Sequence, residues 1–213
     1  VAVGKIDRGL VADTALRLLN DVGLDGLSLR AIAKELDVKA PALYWHFKDK
    51  QALLDEMATE MYRRMTAGTR IPAGADWRER LLASSRGLRA ALLSYRDGAR
   101  VFSGSRFTGI VHAAPMEENL RAFVDAGFTL RQAVRATNTA YLFTLGFVTE
   151  EQGVYPLPGE RREGYDMTAR AELLADFPLS AAAGPAIFEN YDEGFEEGLM
   201  LLLTGIEARR GSS

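Results

Sequence analysis

LSLRAIAKELDVKAPALYWHFKDK, Leu27 to Lys50, decides the fold of this 213-residue chain. It holds two short amphipathic segments with a break at Asp37-Val38-Lys39. Ser28 has the side chain of an N-cap, and Leu27 and Ile32 stand at the N′ and N4 positions of a hydrophobic staple. Pro41 suits the first turn of the second segment, where a missing N–H costs nothing. Ile32, Leu36, Val38 and Leu43 can pin the pair together. That leaves Arg30, Lys39, Ala42, Tyr44, Trp45, His46, Lys48 and Lys50 outside. A short helix with an outward aromatic and basic face fits a DNA major groove. The stretch reads as a helix-turn-helix.

The flanking sequence supports it. Ile6 to Val22 carries one apolar stripe (Val11, Ala15, Leu18, Leu19, Val22), with Asp7 placed to cap it and Gly23 where a left-handed C-terminal residue belongs. Downstream, Lys50 to Thr66 is a long helix capped by Asp49 and linking this head to the rest. Gly68 to Asp76 interrupts the pattern. A helix from Asp76 to about Tyr95 follows, then a minor one near Ala99 to Ser103 and a loop over Gly104 to Ala114. Met116 to Ala126 is helical. The helix capped by Thr129 runs to about Gln152 and is apolar on nearly every side, so it needs burial on more than one face. A short helix over Asp166 to Ala175 and a loop around Pro178 to Pro185 precede a last helix, Ala186 to Thr204. There, Gly194 and Gly198 cost propensity that close helix approach can offset. No segment alternates as a strand does, so the fold class is all-α. The domain layout is a head over 1–49, a linking helix over 50–66 and a larger helical domain over 67–213.

Composition narrows the function. The net charge of −3 is not that of a protein that coats nucleic acid, yet Ser28 to Lys50 carries five Lys/Arg against three Asp/Glu. That asymmetry permits DNA binding by one end. The absence of cysteine removes disulfides and thiolate chemistry and fits a cytoplasmic protein. Two histidines, His46 and His112, lie far apart, which disfavours a histidine-rich metal site. No run reaches the roughly 20 apolar residues that span a bilayer, and Val1 to Leu10 lacks the apolar core of a secretory leader. Neither a glycine-rich phosphate loop nor a GxSxG elbow is present.

Several stretches resemble the TetR family of bacterial transcriptional regulators. They are Thr14 to Asn20, Gly23 to Ser28, Ala33 to Leu36 and, most specific, Pro41-Ala42-Leu43-Tyr44-Trp45-His46-Phe47 with Lys50, Leu53 and Leu54. Leu92 to Ala99 and Phe143 to Gly146 resemble the ligand-binding domain of the tetracycline-repressor branch. The resemblance implies a homodimer of all-α subunits, with two heads on the half-sites of a palindromic double-stranded operator and a small-molecule inducer in the core. Its helix pair near 129–152 and 186–204 would form the dimer interface.

On this reading the DNA-contacting residues are Ser28, Arg30, Lys39, Ala40, Pro41, Ala42, Tyr44, Trp45, His46, Lys48 and Lys50. Arg30 can fork onto a guanine edge, and Ala42 can meet a thymine methyl. Tyr44, Trp45, His46, Lys48 and Lys50 suit phosphate and sugar. Of the two aromatics, Trp45 is the one expected to be partly buried. Lys34 and Lys39 suit either phosphate contact or a plain solvated face. The ligand-facing residues are Met65, Thr66, Ser84, Leu88, Phe102, Ser105, Phe107, Met116, Asn119, Val134, Thr137, Asn138, Tyr141 and Glu150. Asn138 and Tyr141, polar on an apolar helix, stand out among them. In tetracycline-binding relatives a histidine at the place of Phe102 holds the drug's magnesium, with further polar partners at the places of Thr66 and Ser84. Phenylalanine cannot ligate a cation, which argues for a largely apolar or aromatic inducer other than tetracycline–Mg, with no cofactor and no resident metal. Two alternatives stay open: a DNA-binding regulator without an effector, and an enzyme working through carboxylates such as Glu117, Glu118 or Glu150.

Overall fold

The computed structural model describes residues 6–210, and within them the chain is all-α. Twelve helices follow in order: α1 (Arg8–Gly26), α2 (Leu29–Glu35), α3 (Ala40–Tyr44), α4 (Lys50–Gly68), α5 (Trp77–Leu93) and α6 (Gly98–Phe102), then α7 (Ala113–Asp125), α8 (Leu130–Val154), α9 (Met167–Leu173), α10 (Pro178–Ala182), α11 (Gly184–Phe188) and α12 (Tyr191–Ala208). Among the described residues the only extended pairing is an isolated bridge between Leu157 and Glu160. The leader-free reading of Val1 to Leu10 lies partly outside the described residues.

The caps read from sequence are made. Asp7 accepts from the Leu10 N–H, Ser28 from Ala31 and Asp49 from Ala52, at 2.8, 3.2 and 2.8 Å. Asp76 with Glu79, and Thr129 with Gln132, close reciprocal capping boxes. Each satisfies N–H groups that a helix start leaves orphaned. Gly23 has φ 67 and breaks α1 in its last turn. Asp37 supplies another positive φ, 52, between α2 and α3.

The C-terminal stretch departs from expectation. The last helix is not continuous over Ala186 to Thr204: Asn190, at φ 54, separates α11 from α12. The segment expected as a loop around Pro178 to Pro185 winds into α10 and the start of α11, each with a proline in its first turn. Proline fixes the φ that a helix start needs, so it opens these single turns rather than preventing them.

One apolar cluster runs from Val11, Leu16, Ile32, Leu43 and Phe47 in the head through Leu53, Met57 and Met61 of α4 to Leu88, Leu92, Phe102 and Val148. A second gathers Trp77, Leu81, Phe123, Phe128, Ala136 and Leu203. Helices α8 and α12 approach closely where glycine allows. A Cβ on Gly198 would overlap the Phe143 ring, lying 2.8 Å from its Cε2, and one on Gly194 would touch Phe147 at 3.7 Å. The expected offset for those two glycines is therefore aromatic packing within the chain.

Candidate nucleic-acid interface and ligand-facing interior

Helix α3 is short, and two residues anchor it. Leu43 and Phe47, one helical turn apart, are both fully buried. This register turns the residues between them outward, so Tyr44 is 52% and Trp45 90% exposed. The expected order is reversed: Trp45 is the freer of the two, because Phe47 takes the inward position. Arg30, Lys34, Lys39, Pro41, Lys48 and Lys50 are exposed, and Ala40, Ala42 and His46 are half-buried. Ser28 uses its hydroxyl as the α2 cap. The Lys50 ammonium donates to the Leu24 carbonyl at 2.8 Å, tying α4 to the end of α1 while remaining exposed. Tyr44, Trp45 and the basic residues Arg30, Lys34, Lys39, Lys48 and Lys50 are thus all open to solvent along this stretch.

Sequence reasoning passed over Arg8. Its Nε donates to Glu56 Oε2 at 2.7 Å and one terminal nitrogen to the His46 carbonyl at 2.6 Å. The guanidinium lies 4.6 Å from the centre of the Phe47 ring. A lone arginine at a helix start carries no local signal for such a role.

The head joins the core through the turn at Arg96-Asp97-Gly98. The break at Gly23 frees the Leu24 N–H, which donates to Asp97 Oδ2 at 2.9 Å. Arg96 donates from its backbone N–H to the Asn20 side chain and from Nε to the Asn20 carbonyl, both at 2.9 Å. Arg100 forks onto Asp25 and holds that carboxyl below its ordinary range.

Around Phe102 the interior is aromatic. Its ring lies 5.4 Å from Phe107 and 6.5 Å from Tyr141, and Phe107 lies 4.7 Å from Tyr62 and 5.6 Å from His112. Burial pushes the Tyr62 and Tyr141 phenols above their ordinary range, so both stay neutral. Leu88 is buried, and Met65 and Phe107 pack against the same cluster. Ser84 accepts from the Asn119 amide at 3.3 Å. Asn119 Oδ1 and His112 Nδ1 are buried without a hydrogen-bond partner. His112, not among the residues expected to face a ligand, lies beside Phe107, which is one of them. The hydroxyls of Thr66 and Thr137 turn back onto carbonyls of their own helices, and that of Ser105, in the loop after α6, onto the Val101 carbonyl.

Four expected lining residues are not gathered here. Asn138 and Glu150 are exposed, and Val134 and Met116 are 42% and 50% exposed. The buried stripe of α8 passes through Ala133, Ala136, Ala140 and Thr144. Residue 138 stands about 200° from residue 136 at 100° per residue, which places Asn138 on the outward stripe with Leu142. On this apolar helix the polar Asn138 marks the uncovered side and not a group directed inward. On α8 the buried carboxylate is Glu151, clamped at 2.6 and 2.8 Å by Arg89 between α5 and α8.

Two family models match the chain: bacterial regulatory proteins of the tetR family over residues 11–57, and the tetracyclin repressor-like C-terminal domain over residues 72–210. The chain is 40% identical over 207 residues to the tetracycline repressor protein class A of Escherichia coli, covering 97% of this chain and 93% of that protein. Among solved structures it is similar to a possible TetR family transcriptional regulator from Streptomyces coelicolor, with TM-score 0.83, 38% identity, and coverage of 96% and 100%. A variant of TetR from Acinetobacter baumannii in complex with minocycline gives TM-score 0.75 and 34% identity, with coverage of 98% and 100%.

Proposed function

Because the chain belongs to the tetR family of bacterial regulatory proteins, we propose that it is a homodimeric repressor released from a palindromic operator by a small, largely apolar or aromatic ligand. The observation that carries the DNA half is the outward pair Tyr44 and Trp45, fixed by buried Leu43 and Phe47. In this reading Arg30, Pro41 and Ala42 read base edges, while Lys39, Tyr44, Trp45, His46, Lys48 and Lys50 hold sugar and phosphate. Residues 1–49 act as the head, 50–66 as the link and 67–213 as the ligand-binding and dimerisation domain. The reading assigns the molecule to the cytoplasm and gives it no enzymatic step.

Aromatic packing around Phe102 supports a ligand other than tetracycline–Mg, since a buried phenyl ring offers no lone pair where the relatives of this branch use histidine. The unpartnered atoms of Asn119 and His112 supply directing polar groups of the kind a small-molecule site uses. Exposed Leu142 of α8 and Leu201 of α12, 55% and 76% accessible, support a second copy packing across these helices as a four-helix bundle. Switching is a population shift: the ligand binds better to the dimer whose heads are misplaced for DNA. Coupling runs through residues 96–107 into α4.

The test is selection of duplexes from a random pool, followed by a fluorescence anisotropy titration of the enriched sequence. A twofold-symmetric site with half-sites about one helical turn apart is the expected result. Enrichment of no sequence, or of an asymmetric one, counts against the proposal.

A further inference from the structure

The segment between α6 and α7 grips α4 on both sides of an aromatic side chain. Phe107 places its ring between Tyr62 and Phe102, at 4.7 and 5.4 Å. Its two chain neighbours bond to the same helix through their backbone N–H groups. The Arg106 N–H donates to Asp55 Oδ1 at 2.9 Å and the Thr108 N–H to Thr59 Oγ1 at 2.8 Å. Thr59 is fully buried and donates its own hydroxyl proton to the Asp55 carbonyl at 2.6 Å. A displacement of the Phe107 backbone therefore pulls on the bonds of both its neighbours to the first half of α4.

Between those anchors stands Glu56, 9% exposed. Its Oε1 stands 3.3 Å from the Thr108 hydroxyl, whose one proton is shared between it and Thr59 Oγ1 at 3.2 Å, and its Oε2 accepts from Arg8 Nε at 2.7 Å. Arg8 continues to the His46 carbonyl at 2.6 Å and lies over the Phe47 ring, just past the end of α3. The Glu56 side chain is 12% and that of Arg8 41% exposed, so solvent screens the cation more than the carboxylate, and the bond at 2.7 Å ties the position of Arg8 to that of Glu56. The planar guanidinium is needed: a lysine ammonium on a flexible stem lacks the fork that serves two acceptors at fixed angles.

We propose that Glu56 and Arg8 are positioning residues that carry the state of the 103–112 segment at Phe107 to the end of the recognition helix. The inference rests on the proposed function only in taking α3 as the DNA-reading element, and it needs no ligand to be tested. The route reaches α3 from below, independently of any swing of the head about the Asp97 joint.

The chain carries its own reporters. It has two histidines and two tryptophans. His46 accepts the Arg8 bond, and Trp45 beside it is open to solvent. The experiment is a double-mutant cycle on the full chain with Phe107→Leu and Glu56→Gln, read by the His46 imidazole ¹⁵N–¹H signals and by affinity for a duplex selected with the wild-type protein. His112→Gln assigns the two imidazoles.

Phe107→Leu is expected to shift the His46 signals and to change duplex affinity about fivefold, within the range of coupling substitutions. In the Glu56→Gln background the affinity change should fall below about twofold and the His46 shift should vanish, whereas uncoupled sites would give additive effects. Thr108→Val cuts the segment from Glu56 while leaving the Glu56–Arg8 pair. It should uncouple in the same way in a chain that still folds, because the Thr108 N–H bond to Thr59 is kept, so the test stays decisive if Glu56→Gln fails to fold. Additive effects overturn the inference, as does a Phe107→Leu protein whose His46 signals do not move. If the chain selects no duplex, the DNA reading fails while the His46 arm still decides the relay.

Discussion

Replacing Trp45 with alanine should separate folding from DNA binding. The side chain is 90% exposed in the free chain, so deleting it removes almost no native contact. A surface substitution of that kind changes stability by less than about 0.5 kcal/mol. A tryptophan side chain can bury roughly 150–250 Å². Covering half of that against the sugars of the duplex backbone at about 25 cal/mol per Å² gives roughly 2–3 kcal/mol. A loss near 2 kcal/mol is about thirtyfold in Kd. The assay is anisotropy on the selected duplex at several salt concentrations, with urea unfolding followed by the remaining tryptophan. Trp45 is uncharged, so the slope of log K against log salt should not change. Trp77→Ala is the internal contrast. That ring is 1% exposed and packs 5.0 Å from Phe123 and 5.1 Å from Phe128, so its loss should cost about 3–5 kcal/mol of stability. A Trp45→Ala protein that binds the duplex within twofold of wild type would refute the placement of that face against DNA.

Two further predictions concern α12. Gly198→Ala should lower the urea midpoint, by an amount equivalent to about 1–2 kcal/mol, because overpacking against the Phe143 ring outweighs the gain in helix propensity. Gly205→Ala, where nothing lies within 4 Å of the added carbon, should leave stability unchanged or raise it. The second concerns pH. Burial, then Glu151 and other neighbours, push the Tyr191 phenol from 10.0 up to about 12. A group raised in the folded state contributes stability that is intact below its unfolded pKa and lost as pH rises through the folded one. Stability from Tyr191 should therefore fall between about pH 10 and 12, and Tyr191→Phe should flatten the unfolding midpoint over that window.

Local signals were legible in the sequence and tertiary ones were not. Asp7, Ser28, Asp49, Asp76 and Thr129 announce helix starts because a cap is a contact within three residues. The helix-turn-helix is legible for the same reason: Ile32 and Leu43 belong to one short unit. Which aromatic faces solvent is a matter of register, and the apolar count near α3 could not assign Phe47 rather than Trp45 to the inward position. The break at Asn190 is invisible because the flanking residues keep a helical pattern across it. In the interior, Leu88, Phe102, Phe107 and Tyr141 come together as expected. Asn138 does not, since an apolar helix with an uncovered face looks from sequence like one buried all round. Arg8 and Glu56 lie 48 residues apart, and no spacing rule joins them.

The boundary between head and core is one of family models and not of packing. The two models stop at residue 57 and resume at residue 72, leaving the second half of α4 between them. Yet Leu53, Met57, Ala58 and Met61 of α4 are at most 1% exposed, in one apolar cluster with Val11 and Leu43 on the head side and Leu92, Val101 and Val148 on the other. Unfolding the head alone would strip α4 of its cover and expose the face that α5 and α6 need. Such a chain should unfold as one cooperative unit, with coincident transitions for unrelated probes. His46 imidazole signals report on the head. Trp77 emission, read in the Trp45→Ala background, reports on the second cluster. Both should share one urea midpoint at each protein concentration. A head signal lost at lower urea than the Trp77 signal would mean that α4 holds together without the head, and that the Arg8–Glu56 link and the Asp97 joint are tethers between two independent bodies.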